Sequence, residues 1–363
     1  MPHMFESTQN NQDLFENPMG TDGFEFVEYA HPDPAKLRAL FTQMGFQHIA
    51  THKSKNVTLY RQGDINFIIN AEPNSFAQKF AEKHGPCVCA MAFRVRDAKA
   101  ALERAKQADI KVLDNPTGDG ELDIPVIEGI GGSRLYLVDT YGETTIYDHD
   151  FDFITDPHQS VKGFGLTYVD HLTHNVFRGN MDKWAKFYED LFNFREIRYF
   201  DIEGKVTGLI SRAMTSPCGK IRIPINESQD DKSQIEEYLE KYKGEGIQHI
   251  ALGSDDICAS VSALRNDGVN FQSTPDTYFE KIDMRLPGHG EDVSVLQNLN
   301  ILIDGAPTEG QGILLQIFTQ EVIGPIFFEI IQRKGNEGFG EGNFQALFES
   351  MEEDQIRRGV LEA

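Results

Sequence analysis

Residues 169–177, VDHLTHNVF, run through RGNMD (178–182) into KWAKFYEDLFNF (183–194). An earlier stretch does the same: FEFVEYA (24–30) runs through HPDP (31–34) into AKLRALFTQ (35–43) and ends at Met44-Gly45-Phe46. In both, period-two alternation gives way to apolar spacing of helical period, the signature of a strand followed by a helix. The correspondence continues in order. INFIINAEP around Asn70 matches IRIPINESQ around Asn226, GPCVCAMAF around Ala90 matches GEGIQHIAL around His249, and GETTIYD around Tyr147 matches GPIFFEI around Glu329. Internal repetition of strands separated by single helices predicts an α+β fold of small β-rich modules packed as two related domains. Gly, Pro and polar residues break the pattern in DFITDPHQSVKGFGL (152–166). The expected domains are therefore 1–155 and 163–363.

A chain of 363 residues, 40% apolar and 25% charged, is long enough for two cores and too balanced to be disordered or fibrous. The opening MPHMFESTQNNQ lacks the apolar run of a secretion signal, and no later stretch reaches the ~18 apolar residues of a membrane span. The expectation is a cytoplasmic protein. Cys87, Cys89, Cys218 and Cys258 fit no common zinc spacing and are read as reduced thiols. With 34 Lys and Arg against 57 Asp and Glu, the net charge of -23 repels nucleic acid and anionic membranes.

The two halves differ at three matched positions. His171, His249 and Glu329 in the second half stand against Phe24, Ala90 and Tyr147 in the first. Groups needed only by the fold would recur in both copies, so the chemistry is expected in the second. Two imidazoles and a carboxylate from three strands can hold one face of a metal ion and leave positions open. His171 and His174 are three apart and project from opposite faces of one strand, so only one can join such a set. Period alone leaves that choice open. Glu329 lies in an apolar run where a carboxylate needs a cation beside it, either a metal or Arg333 or Lys334. His249, in an equally apolar IQHIAL, could also be a hydrogen-bonded core histidine. GIGGS (129–133) and GFGEGN (338–343) lack the strand, spacing and helix of a phosphate loop and read as turns.

DHLTHNV, GEGIQHIA, LLQIF, FFEIIQRKG and GFGEGNFQALFESME resemble the signature segments of the 4-hydroxyphenylpyruvate dioxygenase family, within the vicinal oxygen chelate superfamily. The resemblance spans the chain from NPMGTDGFEF to RRGVL and includes HKSKNVTLYRQG and INFIINAEPNS. It implies paired βαβββ modules forming an open barrel in each domain, with a C-terminal helix over the second-domain site. It also implies a first domain for support and oligomerisation, one Fe(II) per chain on His171, His249 and Glu329, and a homo-oligomer. The implied substrate pocket comprises Ser211, Asn226, Gln234, Gln248, Gln316 and Phe318, and no other catalytic residue is expected. Gln316 and Phe318 are two apart and can share one strand face; Gln248 should face away from His249 in a regular strand. Phe344, Leu347, Phe348 and Met351 fall at helical spacing behind four glycines. That helix is expected to close over the iron, with Phe339, Phe344 and Phe348 as a dry aromatic wall.

The implied reaction turns 4-hydroxyphenylpyruvate and dioxygen into homogentisate and carbon dioxide, by oxidative decarboxylation with ring hydroxylation and side-chain migration, in tyrosine and phenylalanine catabolism. A hydroxymandelate synthase would use the same ligands and substrate. The aromatic Phe344, where such a synthase is expected to carry an aliphatic residue, favours ring hydroxylation. A non-catalytic binding protein on the same fold, or a zinc or nickel isomerase or lyase, are the other readings.

Overall fold

The structure is a computed structural model that describes residues 13–156, 159–203 and 208–357, without the side chains of 202–203, 348 and 352–356. The opening dozen residues, and with them the expectation about a secretion signal, lie outside it. The first half supplies β1 (Thr21–Ala30), β2 (Gln47–His52), β3 (Val57–Gln62), β4 (Ile65–Asn70), β5 (Cys87–Val95), β6 (Val126–Glu128), β7 (Arg134–Val138) and β8 (Phe151–Phe153). The second supplies β9 (Leu166–Val176), β10 (Arg195–Glu203), β11 (Gly208–Thr215), β12 (Arg222–Ser228), β13 (Gly246–Ser254), β14 (Leu302–Gly305), β15 (Ile313–Phe318) and β16 (Phe327–Lys334). They form two eight-stranded sheets, ordered β6-β7-β5-β1-β4-β3-β2-β8 and β10-β11-β12-β9-β13-β16-β15-β14. Read backwards and shifted by one strand, the second order matches the first: β9 takes the place of β1, β12 of β4, β13 of β5 and β16 of β7, with the edge strands β8 and β14 left over. The parallel pairs coincide as well, β1 with β4 and β5 with β7 in one sheet, β9 with β12 and β13 with β16 in the other. This is the α+β duplication that the repeat predicts.

Each module's helix is held by its apolar stripe. Met181–Phe192 buries Met181, Trp184, Ala185, Tyr188, Leu191 and Phe192, and stops where Asn193 turns left-handed at φ 56°. Its counterpart Pro34–Gln43 opens with proline behind an Asp33 cap and buries Leu37 and Phe41. Apolar packing is continuous from one half to the other: Phe67 lies on Phe328 at 5.8 Å, and Phe93 meets Phe192 edge-on at 5.4 Å. The GIGGS turn belongs to this junction, since Gly131 has φ 61° and a Cβ there would stand 2.0 Å from the Glu245 carbonyl.

Strand register corrects two of the matched positions. Ala90 pairs with Glu28 and Arg134 as His249 pairs with Thr173 and Phe327. Counting along β1 and β7 from those anchors, His171 corresponds to Phe26 rather than Phe24, and Glu329 to Tyr136 rather than Tyr147. Tyr147 sits in the helix Ile146–Asp150, beyond the short β7 that holds the equivalent place. Phe26 and Tyr136 have ring centroids 5.6 Å apart, in a cluster with Ile68, Ala92, Tyr147 and Phe151 against which Leu122 and Ile124 pack. Packed side chains thus occupy the place where the second copy carries imidazoles and a carboxylate.

The second sheet ends in the edge strands β10 and β14. The C-terminal helix Glu341–Arg357 touches both and so spans the opening between them.

Candidate metal centre

His171 on β9, His249 on β13 and Glu329 on β16 come together on three adjacent strands, with one donor atom of each within 4.8 Å of the others. Glu329 Oε2 lies 3.2 Å from His171 Nε2 and 3.3 Å from His249 Nε2. Two donors at right angles, each about 2.1 Å from an ion, stand about 3.0 Å apart, so these edges have the span a metal requires. The second carboxylate oxygen, Glu329 Oε1, is buried and has no hydrogen-bond partner among the described residues. A carboxylate at 2% exposure is costly without positive charge beside it, and a cation between the three donors would supply that charge. The ion pairs of Arg333 and Lys334 go to other carboxylates: Arg333 pairs with Asp170 and Lys334 with Glu291.

Two bulges shape this set. Along β9, His171 pairs with Ala251 and Val169 with Leu252, leaving Asp170 as an extra residue; along β13, Gln248 is extra between Ile247 and His249. A bulge turns its extra residue towards the side of its neighbour. Asp170 Oδ1 therefore lies 2.8 Å from His171 Nδ1, and Gln248 Oε1 lies 3.0 Å from His249 Nδ1. Each acceptor draws the imidazole proton to Nδ1 and leaves Nε2 aimed at Glu329, the tautomer a metal ligand needs. Gln248 thus faces the same way as His249, against the expectation for a regular strand. The same two bulges recur in the first copy, at Glu25 and Cys89.

The local electrostatics follow from burial and pairing. Burial would push Asp170 up, but the Arg333 guanidinium outweighs it and holds the carboxyl well below the usual range. Burial would lower His171, but Glu329 and Asp170 outweigh it and raise it. His249 is lowered by burial, partly offset by Glu329, whose own carboxyl is lowered because the two histidines overcome its burial. His174 points the other way, with Nε2 2.7 Å from the Tyr188 hydroxyl, and burial pushes it down to about 3. It is a core residue of the opposite face.

The other named residues divide into three groups. Ser211, Asn226 and Asn175 lie abreast on β11, β12 and β9, with Asn226 Nδ2 donating to Asn175 Oδ1 at 3.4 Å. Gln316 and Phe318 face the same side of β15; Phe318 pairs with Glu329 in register, and Gln316 is buried with Oε1 unpartnered. Phe339 meets His171 edge-on at 5.2 Å, and Phe327 stacks on His249 at 5.0 Å. Gln234, by contrast, is exposed in the first turn of the helix Gln234–Tyr242, which places it on the surface rather than in the buried stripe. Phe344 is 41% exposed on the C-terminal helix, and the Phe348 side chain lies outside the described residues. Sequence reasoning missed Asp170, Gln248's part in holding His249, Arg222 and Phe327. Asn175 and Thr173 were within reach, because both fall on the period-two face of His171, and Thr173 Oγ1 lies 3.0 Å from His249 Nε2.

A family model described as Hydroxyphenylpyruvate dioxygenase, HPPD, N-terminal, matches residues 15–152, and the Glyoxalase/Bleomycin resistance protein/Dioxygenase superfamily model matches residues 168–282. The chain is 64% identical to hemolysin VllY of Vibrio vulnificus over 95% of its own length and 98% of that protein's. It is 63% identical to a 4-hydroxyphenylpyruvate dioxygenase of Pseudomonas aeruginosa, over 95% of this chain and 97% of the other. Among solved structures, a mutant of 4-hydroxymandelate synthase from Streptomyces coelicolor aligns with a TM-score of 0.80 and 25% identity, over 93% of this chain and all 100% of that one. On these grounds the chain belongs to the 4-hydroxyphenylpyruvate dioxygenase family.

Proposed function

We propose that this chain converts 4-hydroxyphenylpyruvate and dioxygen to homogentisate and carbon dioxide, using one Fe(II) held by His171, His249 and Glu329. The observation that carries the reading is the buried pair of Nε2···Oε2 edges at 3.2 and 3.3 Å around a carboxylate whose other oxygen has no hydrogen-bond partner among the described residues. Iron in such a site would bind the keto acid of the substrate and dioxygen, and supply the oxidative chemistry. The three residues would hold the ion and move no proton themselves. Asp170 and Gln248 hold the two imidazoles in the ligating tautomer.

Around them, Phe318, Phe327 and Phe339 form an apolar wall that excludes water from the reacting groups. Two buried polar atoms without partners among the described residues, Asn175 Nδ2 and Gln316 Oε1, are a donor and an acceptor available to orient a polar aromatic substrate. Ser211 and Asn226 extend that polar stripe, while Gln234 and Phe344 would reach the substrate only through movement of their helices. In this reading 163–363 is the catalytic domain and 1–155 the support, its own equivalent face filled by Phe26 and Tyr136. Self-association and a cytoplasmic location belong to the same proposal. No described helix is long and apolar enough to cross a membrane.

Anaerobic reconstitution with iron(II), addition of 4-hydroxyphenylpyruvate, admission of oxygen and chromatography of the product test the reading. Homogentisate is expected. Hydroxymandelate would keep the site and change the reaction, and absence of oxygen uptake by iron-loaded protein would sink the enzyme reading in favour of a binding protein.

A further inference from the structure

Asp170 carries more than the His171 imidazole. Its carboxylate is fully buried and receives a two-pronged contact from Arg333, Nε to Oδ2 at 2.7 Å and Nη2 to Oδ1 at 2.8 Å. Tyr168 donates to Oδ2 at 3.3 Å, and Arg222 Nη1 stands 3.7 Å from the same oxygen. Both arginines reach onward to one short segment. Arg333 Nη1 donates to the carbonyls of Asn336 at 3.1 Å and Gly338 at 2.6 Å, while Arg222 Nη2 pairs with Glu337 at 2.5 Å. That segment is the approach to the C-terminal helix, and the next residue, Phe339, lies edge-on against His171 with the Arg333 guanidinium 5.5 Å from its ring centre. Arg333 comes from the same strand as Glu329, so one side chain connects the strand of one ligand, the carboxylate behind another, and the start of the helix that spans the barrel opening.

A guanidinium is suited to this task because its planar fork presents five donors in fixed directions. With Nε and Nη2 committed to the carboxylate, Nη1 can point only where the carbonyls now stand. Rotation of His171, displacement of Asp170 and lifting of residues 336–338 are therefore not independent motions. We propose that Asp170 and Arg333 are positioning residues that couple the seating of His171 at the metal centre to the docking of the segment leading into the C-terminal helix. The consequence is that an ion on His171 tightens the approach to the helix, and that a loosened approach weakens the ion. This inference rests on the metal-centre reading above and adds a coupling that the reading does not require.

The test uses the full chain with cobalt(II) alone as the probe, following cobalt affinity by its visible absorption and backbone order by hydrogen–deuterium exchange of peptides covering residues 336–342. The variants are Arg333→Gln and the double variant Asp170→Asn with Arg333→Gln. The double variant leaves no unpaired buried charge and so keeps the fold testable if the single variant unfolds. In the unaltered protein cobalt is expected to slow exchange in residues 336–342. In the double variant affinity is expected to fall about 10- to 100-fold, the usual effect of losing a group that orients a ligating histidine. At saturating cobalt the protection of residues 336–342 should also disappear, a metal-linked difference that simple loss of stability would not produce. An affinity unchanged within about twofold, or cobalt-induced protection equal to that of the unaltered protein, overturns the coupling. Failure of the unaltered protein to take up cobalt in a 1:1 ratio overturns the metal-centre reading itself and this inference with it.

Discussion

Gly340, at the entry to the C-terminal helix, lies against Gln316 on the polar floor of the site, and Gly340→Ala should separate the two. Its φ is 77°, a left-handed conformation, and a Cβ placed there would stand 1.9 Å from Gln316 Oε1 and 2.6 Å from Nε2. Holding alanine left-handed costs about 1–2 kcal/mol. Forcing a methyl group into packed surroundings adds about 1–3 kcal/mol, because Gln316 is fully buried on β15. A total of roughly 2–5 kcal/mol rivals what one helical turn gains by docking, so release of the turn caps the loss. The contacts at stake are those just beyond: Gly342 N donates to Asp304 Oδ2 at 2.8 Å, and Tyr278 donates to Asn343 Oδ1 at 2.6 Å. The expected outcome is a nearly unchanged Tm, faster amide exchange in residues 339–350, and a kcat/KM for 4-hydroxyphenylpyruvate lowered at least tenfold. Steady-state oxygen uptake and exchange mass spectrometry on the iron-loaded enzyme measure both. Protection and kcat/KM equal to those of the unaltered protein would refute the argument, since the steric overlap would then have been absorbed without moving helix or glutamine.

Further perturbations address the other parts of the site. Glu329→Gln, which keeps shape and removes charge, should lower iron affinity by more than the roughly 100-fold expected of an orienting group, with circular dichroism unchanged; retained stoichiometric iron would contradict its role as ligand. Because Glu329 and Asp170 raise His171, an ion must displace a proton there, so metal affinity should fall as pH is lowered through the range where His171 takes up its proton. Calorimetric titration in buffers of different ionisation heat counts that proton, and a pH-independent affinity would exclude it. His174 titrates at about 3 when folded and near 6.5 when unfolded, so the unfolded chain takes up its proton first. Its contribution to stability is present above pH 6.5 and is lost as pH falls from there towards 3. Urea midpoints at pH 7.5 and 4.5 should converge in His174→Leu relative to the unaltered protein, despite the unpairing of Tyr188. Phe328→Ala, at the junction with Phe67, should lower stability by about 3–5 kcal/mol in chemical denaturation, and a loss below about 1 kcal/mol would show that the contact between the halves is loose.

The duplication was legible because strand and helix periods repeat in order, and His249 and Glu329 stood out because each interrupts an apolar strand; the choice of His171 over His174 came from the family resemblance, since alternation along DHLTHN left it open. What escaped has identifiable physical causes. The mispairing of Phe24 and Tyr147 arose because likeness between apolar runs carries no register, whereas hydrogen-bonded neighbours do. Gln248 was expected to face away because alternation assumes a regular strand, and nothing in GEGIQHIAL announces the extra residue of a bulge. Arg333 was weighed as a partner for Glu329 because proximity in sequence suggested it; the same bulge mechanism at Asp170 instead supplied a better acceptor from another strand. Gln234, placed in the pocket by segment likeness, stands in this structure on an exposed helix turn.

The bulges at Glu25 and Cys89 in the first half bear on how such a protein can be re-engineered. Backbone irregularities are the hardest part of a metal site to install, because they must be built into the pairing of two strands at once, and here the ligand-free half already has both. Turning it into a second centre would need imidazoles at Phe26 and Ala90 and a carboxylate at Tyr136, all on strands with the required pairing. The obstacle is volume rather than geometry: Leu122, Ile124 and Phe151 pack where an ion and its substrate would go. Inheritance of the scaffold and occupation of its interior are thus separable, and the quiet half is better regarded as a filled mould than as a lost one.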